Sequence, residues 1–382
     1  MTRTSLFVEA KVMSQPRVSG IGHTMQGLVR ALQNNEAARE RYRIRLLAPL
    51  DGVTRLRHLG MDNVEYVRLP LPTRGYDRWA GLPLLPPLDA LVGKGTFVFP
   101  HYGNWPLRRS ASITFIYDVV FLRYPEAVGG NLSLLKRNMR RWIARTSLVA
   151  TVSDSSRDDI NRYLGVARER IAVIPCGVDR ELFGARSSAE VADFRERFGL
   201  PERYVLYLGN IEPRKNLLRL IAAYRGLPQR LRREHALVIA GGSAWNSAGI
   251  ERAVAEARAD GDNVIRPDGY VSDEDLPALL SGAAMLAQPS LYEGFGIAPL
   301  QAMAAGVPVL VGDNSAQPEV AGDAGLYVDA LDVADIERGM QTLLSDERLA
   351  AAHVAAGLQR VQQFSWERSA GAMLEALDRL AA

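Results

Sequence analysis

The chain contains almost no cysteine and no long hydrophobic run. Cys176 is the single cysteine among 382 residues, which excludes an internal disulfide. No apolar stretch approaches the roughly 20 residues that a helix needs to span a membrane. The amino terminus runs directly into the apolar segment LFVEA, without the apolar core of a signal peptide, so we expect a cytoplasmic protein.

Patterns that bind metals are also scarce. The five histidines are scattered and show no ligand-like spacing with cysteine or carboxylates. No Asp-x-Asp pair stands in a context suited to a metal, and we expect neither a metal nor a cofactor. The remaining composition, with 47% hydrophobic and 23% charged residues, is ordinary for a globular protein, and the length is sufficient for two domains.

Positive charge is concentrated in the first half of the chain. Residues 1–185 contain 27 lysines and arginines against 16 acidic residues, which suggests an anionic partner. The densest segment, NLSLLKRNMRRWIARTS at 131–147, predicts a basic amphipathic helix. Such a helix either lies on an anionic membrane surface, meets a lipid-diphosphate acceptor, or packs by its apolar side and is otherwise solvated. No nucleic-acid motif accompanies the charge, so nucleic acid is not an expected partner.

Strand and helix patterns alternate through both halves, which favours an α/β fold with parallel sheets. We place one Rossmann-like domain at 1–185 and a second at 190–363, with the boundary in the polar stretch VDRELFGARSS. Residues 364–382 read as a terminal amphipathic helix. The Pro- and Gly-rich tract at 69–87 is interpreted as a loop, either on the acceptor side or merely on the surface.

The segment SLYEGFGIAPLQAMAAGVPVL at 290–310 predicts a loop that leads into a helix. Gly294 and Gly296 free the backbone, and Pro299 suits the first helical turn. The amides at such a helix start favour an anion such as phosphate. Glu293 precedes the helix and Gln301 follows eight residues later, so both could contact one ligand. The alternative is a plain buried turn with a surface glutamate.

A second segment, YLGNIEPRKN at 207–216, predicts a strand that ends in a polar turn with Arg214 and Lys215. Open α/β sheets bind ligands at the carboxyl ends of their strands. Arginine offers a fork for two oxygens and lysine a compact charge, so the pair could hold a diphosphate and stabilise its departure. The alternative is a solvated pair of surface cations.

These two segments together resemble the retaining GT-B glycosyltransferases of family four, which move a sugar from a nucleotide-sugar to an acceptor. Four more segments carry the resemblance in the family's order: SGIGHTMQGLVRAL at 19–32, VATVSDSSRDDI at 149–160, RIAVIPCGVD at 170–179 and GYVSDEDLPALLSGAAMLAQPS at 269–290. The resemblance implies an acceptor-binding first domain, a nucleotide-sugar-binding second domain facing it across a cleft, and a terminal helix that returns to the first domain.

The resemblance also implies roles for individual residues. Arg214 and Lys215 neutralise the departing diphosphate, and Glu293 contacts hydroxyls of the donor sugar. His101 and Asn104 lie near the acceptor. The implied donor-binding residues are Gly20, Gly22, Asn210, Tyr270, Val271, Gly294, Phe295, Gly296, Ile297, Ala298 and Gln301. Among these, the amides from Phe295 to Ala298 hold the phosphates, Tyr270 and Val271 bracket the base, and Gly22 approaches the donor most closely.

Three positions depart from the family pattern. Tyr117 and Asp118 stand where the family has His-Asp; Tyr117 either replaces the histidine's contact with the sugar or signals a different sugar. Asp118 remains as an acceptor-side or orienting group, and we include both residues in the catalytic set. Asn210 replaces a frequent arginine, and Gln301 replaces the second glutamate of the motif, where it can still accept a ribose hydroxyl.

The implied reaction is front-face transfer with retention of the anomeric configuration, without a protein nucleophile or metal. The GNIEPRKN segment looks most like bacterial mannosyltransferases of surface-polysaccharide assembly, so GDP-mannose is the leading donor. UDP-glucose, UDP-GlcNAc and a deoxyhexose donor are alternatives. The expected acceptor is a glycan or a polyprenyl-diphosphate-linked oligosaccharide at the inner face of the membrane. A non-catalytic GT-B partner of another transferase and a sugar-nucleotide epimerase are the alternative functions.

Overall fold

The computed structural model describes residues 3–15, 18–70, 86–127, 132–242, 246–267 and 271–381. Most of the predicted loop at 69–87 lies outside this part of the chain, and so does the predicted base-binding residue Tyr270. The strands are β1 Thr4–Glu9, β2 Tyr42–Ala48, β3 Glu65–Arg68, β4 Thr96–Phe99, β5 Ala111–Phe115, β6 Leu148–Thr151, β7 Ile171–Val173, β8 Tyr204–Leu208, β9 Ala236–Ala240, β10 Val264–Ile265, β11 Met285–Gln288, β12 Val309–Gly312 and β13 Gly325–Val328.

The helices of the described residues lie between these strands, except for the last three, which follow β13. They are α1 Gly20–Asn34, α2 Glu36–Arg41, α3 Val53–Arg57, α4 Leu88–Val92, α5 Val120–Arg123, α6 Leu132–Arg145, α7 Asp154–Leu164, α8 Ser188–Phe198, α9 Leu217–Gly226, α10 Gln229–Glu234, α11 Ala248–Ala259, α12 Leu276–Ser281, α13 Ile297–Ala304, α14 Gln317–Ala321, α15 Val333–Ser345, α16 Glu347–Arg360 and α17 Trp366–Ala381. None of the helices in the described ranges is long and apolar enough to cross a membrane.

The first unit is built on a seven-stranded parallel sheet in the order β3-β2-β1-β4-β5-β6-β7. It comprises Met1–Val119, Asn131–Gly177 and Ser365–Ala382. Alternating residues of the central strand, such as Leu6 and Val8, are 1% exposed and belong to its core. The strand order reverses between β1 and β4, which is where open α/β sheets leave a crevice at the carboxyl ends of their strands.

The second unit is built on a six-stranded parallel sheet in the order β10-β9-β8-β11-β12-β13. It comprises Val178–Phe364 together with Val120–Gly130. Its strands are buried on both faces, which explains apolar runs such as ALVIA in β9, since crossover helices cover a parallel sheet on each side. Here the order reverses between β8 and β11, so the turns after these two strands flank the crevice.

The terminal helix α17 packs in the first unit against α1. Met373, Leu374 and Leu377 bury their side chains in the core of that unit. Trp366 at the helix start fits against Gly27 so closely that a Cβ added to Gly27 would lie 2.3 Å from the indole. A Cβ on Gly177 would lie 2.4 Å from the backbone nitrogen of Trp366. Two glycines therefore create the space into which the helix docks.

The unit boundaries differ in two places from those placed on the sequence. The first unit ends at Gly177 rather than near residue 185, because the amide of Val178 already donates to the carbonyl of Phe364 at 3.1 Å. In addition, residues 120–127 pack in the second unit, although they come from the first half of the chain. Their contacts are formed with residues about 170 positions later in the sequence, such as Leu291.

Candidate functional site

Two turns at the reversal point of the second sheet carry the predicted charged residues. Strands β8 and β11 are neighbours, with Met285 opposite Val205. The turn after β8 closes with a 3-10 helix, Pro213–Lys215, which carries Arg214 and Lys215. The loop after β11 carries Glu293. The sequence predicts these two segments separately, and the strand order brings them together.

Glu293 is the acceptor for four side chains in this cluster. It is 5% exposed. Its Oε1 accepts from Lys215 Nζ at 2.5 Å, from Ser290 Oγ at 2.8 Å and from Gln288 Nε2 at 2.9 Å. Its Oε2 accepts from Arg214 Nη1 at 2.9 Å. The buried carboxylate therefore holds both predicted cations in place.

The charges of this cluster determine its ionisation. Burial by itself would raise the pKa of Glu293, but Lys215 and Arg214 outweigh that effect and lower the pKa to about 2. Burial, reinforced by the positive charge of Arg214, lowers the pKa of Lys215, while Glu293 opposes the change. The carboxylate is consequently ionised at neutral pH and compensates the two cations in a poorly hydrated place.

Arg214 is fixed by more than Glu293. Its Nη1 also donates to the carbonyl of Tyr292 at 3.0 Å, and its Nη2 lies 2.8 Å from Glu212 Oε1. Its own carbonyl accepts from the amide of Leu291 at 2.8 Å. The guanidinium is thus held in one orientation by protein groups on both terminal nitrogens.

Asn216 explains why the turn after β8 has this shape. Its φ of 64° is left-handed, a conformation that asparagine tolerates better than most residues. Its Nδ2 donates to the carbonyls of Pro289 at 2.9 Å and Ala330 at 2.6 Å. Asn216 therefore ends the 3-10 turn, starts α9 and fastens the turn to the neighbouring loops.

Helix α13 begins at the position predicted for phosphate binding. Gly296 precedes it with a φ of 108°, which strongly favours glycine. Within the described residues no side chain caps this helix start, so its first amides keep their donor capacity. Phe295 is 7% exposed and meets Phe364 edge to face at 5.7 Å, so its side chain anchors the loop from inside.

The other predicted donor-binding residues of the second unit differ in how far they are exposed to solvent. Gly294 and Ala298 are buried, Ile297 and Gln301 are half-buried, and Gln301 lies in the second turn of α13. Asn210 is exposed, and its carbonyl accepts from the Tyr207 hydroxyl at 2.7 Å. Val271 is half-buried.

In the first unit, Tyr117 and Asp118 follow β5. The Tyr117 ring stacks on Phe115 at 5.6 Å, and its hydroxyl is buried without a hydrogen-bond partner among the described residues. Burial and the neighbouring Cys176 raise the pKa of Tyr117 well above its usual value. Asp118 is half-buried, and its charge adds to burial in raising the pKa of Tyr102. The phenol of Tyr117 thus remains neutral and can donate a hydrogen bond.

His101 follows β4, beside the reversal point of the first sheet. Its Nδ1 accepts from the amide of Gly103 at 3.1 Å, and its Nε2 lies 3.6 Å from Oε2 of Glu9. Glu9 ends β1, is 2% exposed and accepts from the amide of Lys11 at 2.9 Å. Both ring nitrogens of His101 therefore face protein groups, and Glu9 is a functional candidate that sequence reasoning missed.

Asn104 occupies a different environment from the one expected of an acceptor-binding residue. It is 1% exposed. Its Nδ2 donates to the Thr146 hydroxyl at 2.7 Å, to the carbonyl of Trp142 at 2.9 Å and to the Thr114 hydroxyl at 3.2 Å. This network ties the end of α6 to β5, while the buried Oδ1 has no hydrogen-bond partner among the described residues, and the acceptor-binding role of Asn104 stays a prediction.

The two predicted glycines in the first turn of α1 differ in their surroundings. A Cβ on Gly22 would lie 2.5 Å from Val18 Cγ1 and 2.6 Å from the carbonyl oxygen of Val12, so its missing side chain makes room for protein. Gly20 is exposed and has no atom within 4 Å of such a Cβ. Gly20 is therefore the more open of the two, and the close approach of Gly22 to the donor stays a prediction.

The predicted basic amphipathic helix is α6. Met139 is buried and Leu135, Trp142 and Ile143 are half-buried, so the apolar side faces inward. The exposed side carries the basic residues Lys136, Arg137, Arg140, Arg141 and Arg145. Any contact of this helix with an anionic surface is consequently mainly electrostatic, because most of its apolar residues are used in the fold, although Leu134 remains 44% exposed.

Three polar residues of the Glu293 cluster were missed from sequence. Glu212, Gln288 and Ser290 stand at the carboxyl ends of β8 and β11, and this position is the signal that could have found them. No group of three or more His, Cys, Asp or Glu side chains that could hold a metal occurs in the described ranges.

Two family models match the chain in succession. Glycosyltransferase Family 4 matches residues 18–182, and Glycosyl transferases group 1 matches residues 189–360. O-antigen chain mannosyltransferase B of Escherichia coli is 33% identical over 308 residues, which cover 80% of this chain and 77% of that protein. The chain belongs to glycosyltransferase family 4 and is similar to its mannosyltransferases.

A second relative and a solved structure add to this assignment. Serotype-specific mannosyltransferase WbdA of Escherichia coli is 32% identical over 62% of this chain, although the match spans only 29% of WbdA. The crystal structure of Anabaena HepE in complex with UDP and glucose matches 99% of this chain and 100% of its own, with a TM-score of 0.75 at 18% identity. At that identity the similarity concerns the fold, and the predicted GT-B class is confirmed.

Proposed function

We propose that the protein transfers mannose from GDP-mannose, with retention of configuration, onto a glycan or polyprenyl-diphosphate-linked acceptor in bacterial surface-polysaccharide assembly. The observation that carries the proposal is the buried cluster of Arg214, Lys215 and Glu293 beside the start of α13. The names of the related mannosyltransferases support the sugar. The UDP complex of the HepE structure supports a nucleotide-sugar donor in general.

In the proposed mechanism the second unit binds the donor diphosphate. The amides of Phe295 to Ala298 and the positive end of the α13 dipole face the phosphates. Arg214 and Lys215 neutralise the charge that builds up as the nucleotide departs. Because both cations are held by Glu293, little reorganisation is needed when the leaving group forms.

The transfer step then needs no nucleophile from the protein. The bond from the anomeric carbon to the phosphate oxygen breaks, and the acceptor oxygen bonds to that carbon on the same face. The acceptor proton passes to the departing phosphate oxygen. The two cations supply the positive charge that a metal ion would otherwise provide, so we propose transfer without a metal or cofactor.

We further propose that the acceptor binds to the first unit, near Tyr117 and Asp118. The neutral phenol of Tyr117 takes the place of the family's histidine as a hydrogen-bond donor to the sugar. The exposed basic side of α6 is suited to an anionic membrane surface or to the diphosphate of a lipid-linked acceptor. We propose that the protein acts at the cytoplasmic face of the membrane.

The test is a transfer and donor-hydrolysis assay with purified protein. GDP-mannose is incubated with and without a polyprenyl-diphosphate oligosaccharide, in the presence of EDTA, and the product linkage is determined. We expect transfer with retention, slow hydrolysis without acceptor, and loss of both in Lys215→Ala. Arg348→Ala, which removes an exposed cation on α16, is the control and should behave as wild type. Transfer from UDP-sugars alone would contradict the mannose proposal, and no turnover at all would indicate a non-catalytic partner.

A further inference from the structure

Residues 120–127 form a short strap that consists of α5 and the 3-10 turn Pro125–Ala127. Tyr124 lies between these two elements. Its hydroxyl donates to the carbonyl of Leu291 at 3.2 Å, and its ring is 6.0 Å from that of Tyr292 with the planes at 38°. The strap therefore contacts the loop that precedes Glu293 in the sequence.

Two further contacts, at Arg123 and Glu126, hold the strap in place. The guanidinium carbon of Arg123 lies 5.1 Å from the centroid of the Tyr292 ring, a geometry suited to a cation–π interaction. At the other end, Asn246 Nδ2 donates to the carbonyl of Glu126 at 3.0 Å. Tyr292 is 1% exposed, so its ring is enclosed on all sides.

The same loop supports Arg214. The amide of Leu291 donates to the carbonyl of Arg214 at 2.8 Å, and the carbonyl of Tyr292 accepts from its Nη1 at 3.0 Å. Leu291 and Tyr292 thus contact the strap through some groups and the catalytic turn through others. A displacement of the loop would move Arg214 and Glu293 together, because Glu293 is the next residue.

We propose that Tyr124 and Arg123 are positioning residues, which hold the Leu291–Glu293 loop so that Arg214 and Glu293 keep the geometry required for sugar transfer. The inference rests on the proposed transferase function and adds two residues to that site. Neither residue belongs to the motifs of the two turns, and neither touches the reacting atoms. Their effect is exerted through the loop.

This role differs from ordinary packing in what it controls. A packing residue contributes to the free energy of unfolding, and its loss leaves the turnover of the folded molecules unchanged. A positioning residue changes kcat, because small displacements of catalytic groups cost rate even where the fold is intact. Measurements on the folded protein therefore separate the two roles.

The first measurement compares the steady-state kinetics of Tyr124→Phe with those of the wild-type protein. The variant keeps the ring and removes only the hydroxyl that donates to Leu291. We expect kcat of the folded molecules to fall about three- to tenfold, the range that one hydrogen bond supplies, while the thermal midpoint falls by no more than the loss of one such bond explains. Arg123→Gln should also lower kcat. Tyr163→Phe, which alters an exposed tyrosine on α7, is the matched control and should leave kcat unchanged.

The second measurement is hydrogen exchange of the peptide that contains Leu291. Its amide donates to Arg214, so a looser loop exchanges this proton faster, independently of any activity. We expect faster exchange in Tyr124→Phe at this peptide and no change in the peptides of β12 and β13. Unchanged kcat in both strap variants would overturn the inference, whether or not exchange accelerates. A wild-type chain without transfer or hydrolysis would instead overturn the proposed function, and the inference with it.

Discussion

Glu293 is the residue on which the charge balance of the candidate site depends. It is the common acceptor for Arg214 and Lys215, and both cations are largely removed from solvent. A buried cation without a counter-charge is strongly destabilising, so the carboxylate contributes to folding as well as to the geometry of the site. Stability and activity are therefore linked at this one side chain.

The first prediction concerns Glu293→Gln and its dependence on pH. The folded-state pKa of Glu293 is about 2, below the ordinary value near 4.5, so ionisation stabilises the fold above that ordinary value. The stabilisation is lost as the pH falls from about 4.5 towards 2. We expect the free energy of unfolding of the wild type to exceed that of the variant by about 3 kcal/mol at neutral pH. This difference should shrink below about pH 4.5.

Denaturant unfolding at pH 7 and at about pH 3 measures this difference. Glu196→Gln, which alters an exposed carboxylate on α8 of the same unit, is the control and should change little at either pH. A difference between wild type and Glu293→Gln that stays constant with pH would show that ionisation of this group does not stabilise the fold.

Residues whose partners are close in sequence could be predicted from the sequence, and residues with distant partners could not. Arg214, Lys215 and Gly296 stand in local patterns of strand, turn and helix start. The contacts of Glu293 with the two cations span 78 and 79 positions, so they depend on which strands are neighbours. The close packing of Gly22 against Val12 could not be predicted for the same reason, since Val12 lies in another segment.

At the scale of elements, docking of α17 depends on two glycines, which leave space because they have no side chain. Gly27 on α1 and Gly177 after β7 leave space for Trp366, so the helix approaches the unit more closely than any larger residue would allow. The amphipathic pattern at 364–382 predicts the helix itself. It does not reveal the two glycines that receive it, because they lie far away in the sequence.

The second prediction is that Gly27→Ala destabilises the first unit. Its added Cβ would lie 2.3 Å from the indole of Trp366, which must then move out of its packed position. We expect a loss of about 1–3 kcal/mol in the free energy of unfolding, measured in denaturant. Gly371→Ala is the matched control on α17, because nothing lies within 4 Å of its Cβ. A helix-interior Gly→Ala change there should stabilise by up to about 1 kcal/mol. Equal effects of both variants would contradict the packing argument.

The third prediction concerns α6 and anionic surfaces. Most of its apolar side is packed inward, so binding to a membrane would depend mainly on charge and would weaken as salt is raised. We expect Arg137→Glu combined with Arg141→Glu to reduce co-sedimentation with vesicles of anionic phospholipid by at least tenfold, without a change in the thermal midpoint. Arg348→Glu on α16 should have no such effect. Binding that persists at about 1 M salt would contradict an electrostatic contact.

At the scale of the whole molecule, each unit has its own parallel sheet and core, and the proposed donor-binding residues of the two turns belong to one of them. The alternation of strands and helices predicts two such units well. The assignment of residues 120–127 could not be predicted, because a local pattern says nothing about which sheet a short helix will pack against.

The fourth prediction is that a bound nucleotide protects the second unit from unfolding and from hydrogen exchange. A ligand that binds only the folded state at one hundred times its Kd stabilises by about 2.7 kcal/mol. We expect GDP to raise the thermal midpoint more than UDP or dTDP does. In hydrogen exchange, GDP should protect the turn after β8 and the start of α13. Larger shifts with UDP would redirect the donor assignment, and protection confined to the first unit would contradict the proposed location of the diphosphate.

The strap at residues 120–127 has a consequence for engineering by domain exchange. A hybrid joined near residue 178 would take the proposed donor-binding turns from one parent and Tyr124 from the other. In such a hybrid, Leu291 and Tyr292 would contact a strap that comes from the other parent. Grafts intended to change sugar preference should therefore transplant residues 120–127 along with the carboxy-terminal half, even though these eight residues lie in the amino-terminal half of the chain.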